Sequence, residues 1–216
     1  NESCVIGSPE FDFLLANLPA IRKNSGTEKV DKYLFHKYVK ILEDYILGYQ
    51  KEDAVPVSLL KQQIPGLNIK QQKTLNTMLP LAEMVSNREV KALAAVIESK
   101  IPTANVQELK MYVFAYRAIR WQTQDADSQP QFKETSNKLT DLIISSMENK
   151  QASLTLTDLE TYPIILTSLQ ENMSKNNYSR LAAIGEKVIP DLPDSQEKRY
   201  IQKTYEKYRK LSCTKP

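Results

Sequence analysis

Glycine is scarce in this chain, with five residues in a sequence of 216, against an average of about 7% in proteins. Hairpin turns and the phosphate-binding loops of nucleotide-binding α/β folds rely on glycine, because other residues rarely adopt the backbone conformations needed there. The scarcity therefore disfavours β-sandwiches, hairpin-rich barrels and glycine-loop nucleotide-binding folds. Helix interiors need no glycine, so the composition favours an all-α chain.

Apolar residues recur at helical spacing along most of the chain, and no segment keeps the strict alternation of a β-strand. We predict an all-α fold with nine helices, or ten if the first segment is helical. The predicted helices lie at about 9–18, 28–50, 57–64, 69–85, 87–100, 104–123, 130–150, 157–175 with an adjustment at Pro163, 177–189 and 195–211.

Polar residues at the predicted helix starts provide capping signals. Asn68 precedes one helix, and five further motifs place Glu or Gln three residues after a polar residue, the spacing of a capping box or a close variant. These motifs begin at Ser86, Asn105, Ser128, Thr157 and Asp194.

The helix starts show no constant period, so the sequence does not predict a repeat array. Short loops of about 2–6 residues favour antiparallel neighbours. Two architectures fit this pattern, an irregular stack of antiparallel helical hairpins and an orthogonal bundle. We predict an N-terminal arm with a short helix over 1–26 and a single all-helical domain over 27–216.

The segment 105–122 is apolar on nearly all sides, which predicts a central helix. Lys110, Arg117, Arg120 and Trp121 lie on one narrow arc of it. Guanidinium groups beside an indole suit an anionic group or an acidic peptide. A solvated helix edge, or ion pairs with Asp141 or Glu160, explains the same stripe more simply.

The predicted terminal helix is strongly basic, and Lys203 and Lys207 are candidate binding residues for phosphate groups of a nucleic acid or a membrane surface. A solvated face and the helix dipole also explain these cations. The face expected to dock on the rest of the fold comprises Ile201, Thr204, Tyr205, Tyr208 and Leu211.

Conventional catalytic and metal-binding patterns are missing from the sequence. His36 is the single histidine and falls opposite the apolar stripe of its helix, so we expect a solvated side chain there. Two cysteines and one histidine do not form a metal-ligand pattern, and we expect neither a metal nor another cofactor. A net charge of +3 does not by itself indicate nucleic acid.

The sequence leaves three functions open. A non-enzymatic interaction module that binds another protein or a peptide, with a cationic groove for an acidic peptide or anionic group, is favoured. The second is a helical pocket protein for an apolar or amphipathic small ligand, and the third is an enzyme that depends on carboxylates, tyrosine or lysine. We do not expect nucleic acid as a partner.

Cys4 and Cys213 lie near the two ends of the chain, and domain termini are often close together. We predict a disulfide between them, and with it a secreted or periplasmic protein, the alternative being a cytoplasmic protein with free thiols. The absence of an initiator methionine is consistent with removal of a signal sequence. No stretch approaches the roughly 18 apolar residues of a membrane span, so we expect no transmembrane segment.

Overall fold

The computed structural model describes residues 9–49 and 56–213. Within these ranges the chain forms α-helices, three short 3-10 segments and no strand, which confirms the all-α prediction. The eleven α-helices are α1 (Pro9–Ala16), α2 (Leu18–Ser25), α3 (Thr27–Leu47), α4 (Val57–Gln63), α5 (Ile69–Ser86), α6 (Val90–Lys100), α7 (Val106–Gln122), α8 (Gln129–Asn149), α9 (Leu156–Leu169), α10 (Lys175–Val188) and α11 (Gln196–Cys213).

The helices group into two compact units, Asn1–Glu89 and Val90–Pro216. Compactness alone does not make a unit an independent domain, which must also have its own core and fold alone. The predicted division, an arm over 1–26 and one domain over 27–216, therefore stays a prediction.

In the first unit, α3 packs against α2 and α5 and buries the apolar stripe that its sequence predicts. Arg22 on α2 donates from Nη2 to Asp31 Oδ1 of α3 at 2.6 Å and to the carbonyl of Gly66 at 2.9 Å. The Tyr38 hydroxyl donates to Gln63 Oε1 at 3.0 Å. Burial raises the pKa of Tyr38 to about 12, so the phenol stays neutral and remains a donor.

In the second unit, α7 packs against α6 and α9, and about half of its residues are buried. This is the central position that its nearly continuous apolar sequence predicts. An ion pair ties α10 to α8, since Arg180 donates from Nε and Nη2 to the two carboxylate oxygens of Glu148 at 2.9 and 2.7 Å. Such paired donation fixes orientation as well as distance.

Helices α10 and α11 approach each other closely at Gly185. A Cβ atom at this position would lie 2.7 Å from Cβ of Tyr205, well inside the contact distance of two carbon atoms. The missing side chain lets α11 lie directly on α10. The buried residues of α11 are Ile201, Tyr205 and Tyr208, all on the predicted docking face.

Helical periodicity in the sequence predicted where the helices lie, but the capping motifs predicted several of the helix ends incorrectly. Asn68 and Asn105 accept hydrogen bonds as N-caps, as predicted. The prediction at Thr157 is wrong, because the capping box belongs to Thr155 and Asp158, two residues earlier. Ser86 ends α5 rather than capping a helix.

Three further details of the helix ends differ from the sequence prediction. Ser128 is the N-cap of α8, as predicted, but its side chain makes no capping bond, and Ser195 rather than Asp194 caps the start of α11. The predicted helix 157–175 ends earlier, at Leu169, and the next helix, predicted at 177–189, begins at Lys175 after the cap Ser174.

Replacing the true cap should destabilise the protein more than replacing the predicted one. Thr155→Ala removes the acceptor of the Asp158 amide, and we expect a loss of about 1 kcal/mol in the free energy of unfolding. Thr157→Ala, at an exposed position within α9, should change it by less than about 0.5 kcal/mol. Urea unfolding of both variants measures the difference, and equal losses would contradict the assignment.

Candidate functional site

The cationic arc of α7 begins one turn after the Asn105 cap. Lys110, Phe114, Arg117 and Trp121 follow one another at spacings of four, three and four residues, so they share one face of the helix. Lys110, Phe114 and Arg117 are half-buried, whereas Trp121 is 46% exposed at the end of the row. The arc therefore opens to solvent chiefly at its C-terminal end.

Arg117 lies between two aromatic rings on this face. Its guanidinium carbon is 4.2 Å from the ring centre of Phe114 and 4.4 Å from that of Trp121. Nη1 also donates to Ser168 Oγ on α9 at 3.3 Å. A cation stacked on an indole restricts the ring, so Arg117 holds Trp121 in a defined orientation.

Arg120 connects α7 to the end of α9. Its Nη1 donates to the carbonyl of Leu169, the last residue of that helix. The final carbonyls of a helix lack partners within the helix and carry partial negative charge, so a guanidinium is well suited to this position. The contact therefore satisfies one of the carbonyls that the end of α9 leaves without a partner in the helix.

An open cleft of about 410 Å³ lies beside Arg120 and Trp121. We call it the α7 groove, and it is bounded by the end of α7, the start of α8 and the end of α9. Its lining includes Arg120, Trp121, Phe132, Lys133, Ser136 and Glu171.

The floor of the α7 groove is fixed by a buried hydrogen-bond network. The Tyr116 hydroxyl donates to the carbonyl of Phe132 at 3.1 Å and lies 3.0 Å from Ser136 Oγ. Burial raises the pKa of Tyr116, and the hydrogen bond with Ser136 and the charge of Arg120 oppose this rise. The phenol therefore stays protonated, and the floor does not change with pH near neutrality.

The rim of the groove carries two cations and one carboxylate. Lys133 is exposed and forms no ion pair with any residue in the described ranges. Glu171 is exposed on the opposite element, after the end of α9. Positive charge beside an exposed indole suits a ligand that is anionic and partly apolar.

The structure brings together part of the predicted site. Of the four predicted residues on α7, Arg120 and Trp121 line the groove. The guanidinium of Arg117 does not line it but packs on the ring of Trp121. Lys110 lies three turns earlier on the helix. The suggested partner Asp141 pairs instead with Arg180, at 3.4 Å.

Phe114 and Lys133 belong to the site but were not predicted from the sequence. The position of Phe114, three residues before Arg117, is a signal that helical spacing could have supplied. Lys133 joins the site through tertiary packing of α8, for which the local sequence holds no signal.

The other predicted residues lie elsewhere. Lys203 and Lys207 are exposed on α11, and His36 is exposed on α3, as expected. Cys213 is exposed at the end of α11, whereas Cys4 is outside the described residues, so the disulfide stays a prediction. For an enzyme that depends on carboxylates, the sequence offers the neighbouring pairs Glu43–Asp44 and Asp158–Glu160. Each pair lies on one helix, where residues one or two positions apart do not face each other.

The described part of the chain contains no group of three or more His, Cys, Asp or Glu side chains arranged to hold a metal ion. It also contains no helix with the length and apolar character needed to cross a membrane.

Comparison of the chain with protein-family models, curated proteins and solved structures finds no match.

Arg120 should contribute to stability as well as to the groove. Arg120→Met removes the charged donor of the Leu169 carbonyl, and we expect a loss of about 1.5–3 kcal/mol in the free energy of unfolding. Lys133→Met, at the same groove, removes a cation without a described ion-pair partner and should change stability by less than about 0.5 kcal/mol. Chemical denaturation of both variants provides the measurement, and equal stability of the two would contradict the structural role of Arg120.

Proposed function

We propose that the protein is a non-enzymatic interaction module whose α7 groove binds an acidic peptide. The observation that carries the proposal is the juxtaposition of Arg120, Lys133 and an oriented Trp121 around an open cleft. A carboxylate of the peptide would lie between the two cations, and an apolar or aromatic side chain would pack on the indole. Guanidinium–carboxylate pairs and buried aromatic contacts are the usual strong contributors at such interfaces.

Arg117 gives the groove its pre-organisation. An indole that is already held on a guanidinium loses little conformational freedom when a ligand packs on its open face. The hydrogen bonds of Tyr116 fix the start of α8 in the same way. The groove thus has a defined shape before a ligand arrives, which favours recognition of one peptide pattern over another.

The acidic-peptide proposal is tested by selecting binders from a random peptide library displayed against the native protein. We expect enrichment of Asp and Glu next to aromatic or apolar residues, and weaker binding at high salt because exposed charge pairs are screened. With a selected peptide, Trp121→Ala and Lys133→Glu should each raise the Kd at least about tenfold, which corresponds to about 1.4 kcal/mol.

The matched control for this experiment is Lys91→Glu, an exposed lysine on α6 outside the groove. This variant should bind the selected peptide like the unmodified protein. Peptides without acidic residues, or an equal loss of binding in the control, would contradict the proposal.

A second candidate function, a pocket protein for an amphipathic small ligand, is favoured by a separate cleft between α10 and α11. The cleft has a volume of about 460 Å³, within the usual range for small-molecule sites. Its lining combines Ile189 and Pro190 with the charged pair Arg209 and Glu186, whose side chains lie 3.3 Å apart. One equivalent of a hydrophobic dye bound here, with no acidic peptides selected, would favour this alternative.

We further propose that the protein functions outside the cytoplasm, with Cys4 and Cys213 joined in a disulfide. The exposed position of Cys213 supports this proposal, because its thiol is accessible to a partner at the other end of the chain. Alkylation of the natively purified protein without reductant should modify neither cysteine, and both should react after reduction. Mass spectrometry counts the adducts, and two adducts before reduction would refute the bridge.

A further inference from the structure

The outward face of α11 carries a row of cations that the α7 groove does not use. Arg199, Lys203, Lys207 and Lys210 are all exposed, and we call them the basic stripe. At 100° per residue they fall, with the 64%-exposed Tyr200, within an arc of about 100°. The stripe runs for about 16 Å along the helix.

The positive charge of the chain is concentrated in this helix. Helix α11 contains six of the 29 basic side chains and two of the 26 acidic ones, although the net charge of the whole chain is +3. The remainder of the chain therefore holds one more acidic than basic side chain. An extended anionic surface would attract α11 and would orient the molecule with this face towards it.

Most of the stripe is not neutralised by the fold. Lys203, Lys207 and Lys210 form no ion pair with any residue in the described ranges. Arg199 lies 3.6 Å from Asp194, but both side chains are more than 70% exposed, and such a pair contributes little. The exposed Glu206 lies at the edge of the same face and accepts a hydrogen bond from Gln202 at 3.0 Å, so the face carries four cations against one carboxylate.

The packing of α11 restricts the shape of a partner. The opposite face of the helix is buried on α10 and α9, and Tyr205 lies against Gly185. One face of α11 is therefore buried, and only its outward face can contact a partner. The available surface is a row of cations along one side of a docked helix, which fits a broad and flat anionic surface.

We propose that the basic stripe binds the surface of an anionic lipid bilayer. Three of its four cations are lysines, whose flexible point charges can follow laterally mobile phosphate headgroups. Tyr200 lies beside them with its ring exposed, and tyrosine is favoured at the boundary between headgroups and hydrocarbon. The binding is peripheral, since the apolar face of α11 stays packed within the protein.

Co-sedimentation with vesicles tests the proposal on the full chain. We expect binding to phosphatidylcholine vesicles that contain phosphatidylglycerol, and no binding to phosphatidylcholine alone. Added salt should release the protein, because the attraction falls off within a Debye length. The double variant Lys203→Glu/Lys207→Glu should weaken binding at least ~25-fold, from about fivefold for each cation lost near the surface.

The matched control is Lys70→Glu/Lys73→Glu, two exposed lysines on α5 with the same change in net charge. It should reduce vesicle binding by much less than the stripe variant, and circular dichroism should show that both variants stay helical. Equal losses in the two variants, or equal binding to neutral vesicles, would overturn the proposal. Binding of duplex DNA that depends on Lys203 and Lys207, without binding to anionic vesicles, would also overturn it and assign the stripe to nucleic acid.

Discussion

Helix α7 has almost no polar face, so its side chains leave water only if other helices cover it on several sides. Helices α6 and α9 pack on it directly, and α8 reaches it through the hydroxyl of Tyr116. The remaining exposed part of α7 is the short arc that ends at Trp121. The α7 groove therefore lies where the neighbouring helices no longer cover α7.

Arg117 and Arg120 lie close together on α7 but have different structural roles. Arg120 satisfies the last carbonyl of α9 and so connects the groove wall to the core. Arg117 is held between Phe114 and Trp121 and shapes the surface instead. Cationic residues next to a hydrophobic core are therefore compatible with stability here, because each guanidinium has a defined partner and both remain half-exposed to water.

The fold was predictable from sequence because helical periodicity and capping are local properties. Asn68 and Asn105 lie directly before the helices they cap, and both were identified. The end of α9 was not, since the group that satisfies Leu169 lies 49 residues earlier in the chain. The same limit applies to the groove: the arc on α7 is visible in the sequence, whereas Lys133 reaches it only through tertiary packing.

The close approach at Gly185 has a consequence for how this chain can diverge. Any side chain at position 185 would meet the Cβ of Tyr205 and force α11 away from α10. The constraint is one-sided, because position 205 can change while the glycine is kept, whereas a larger residue at 185 requires α11 to move. Divergence of this helix pair is therefore limited by Gly185 more than by the aromatic residue that packs on it.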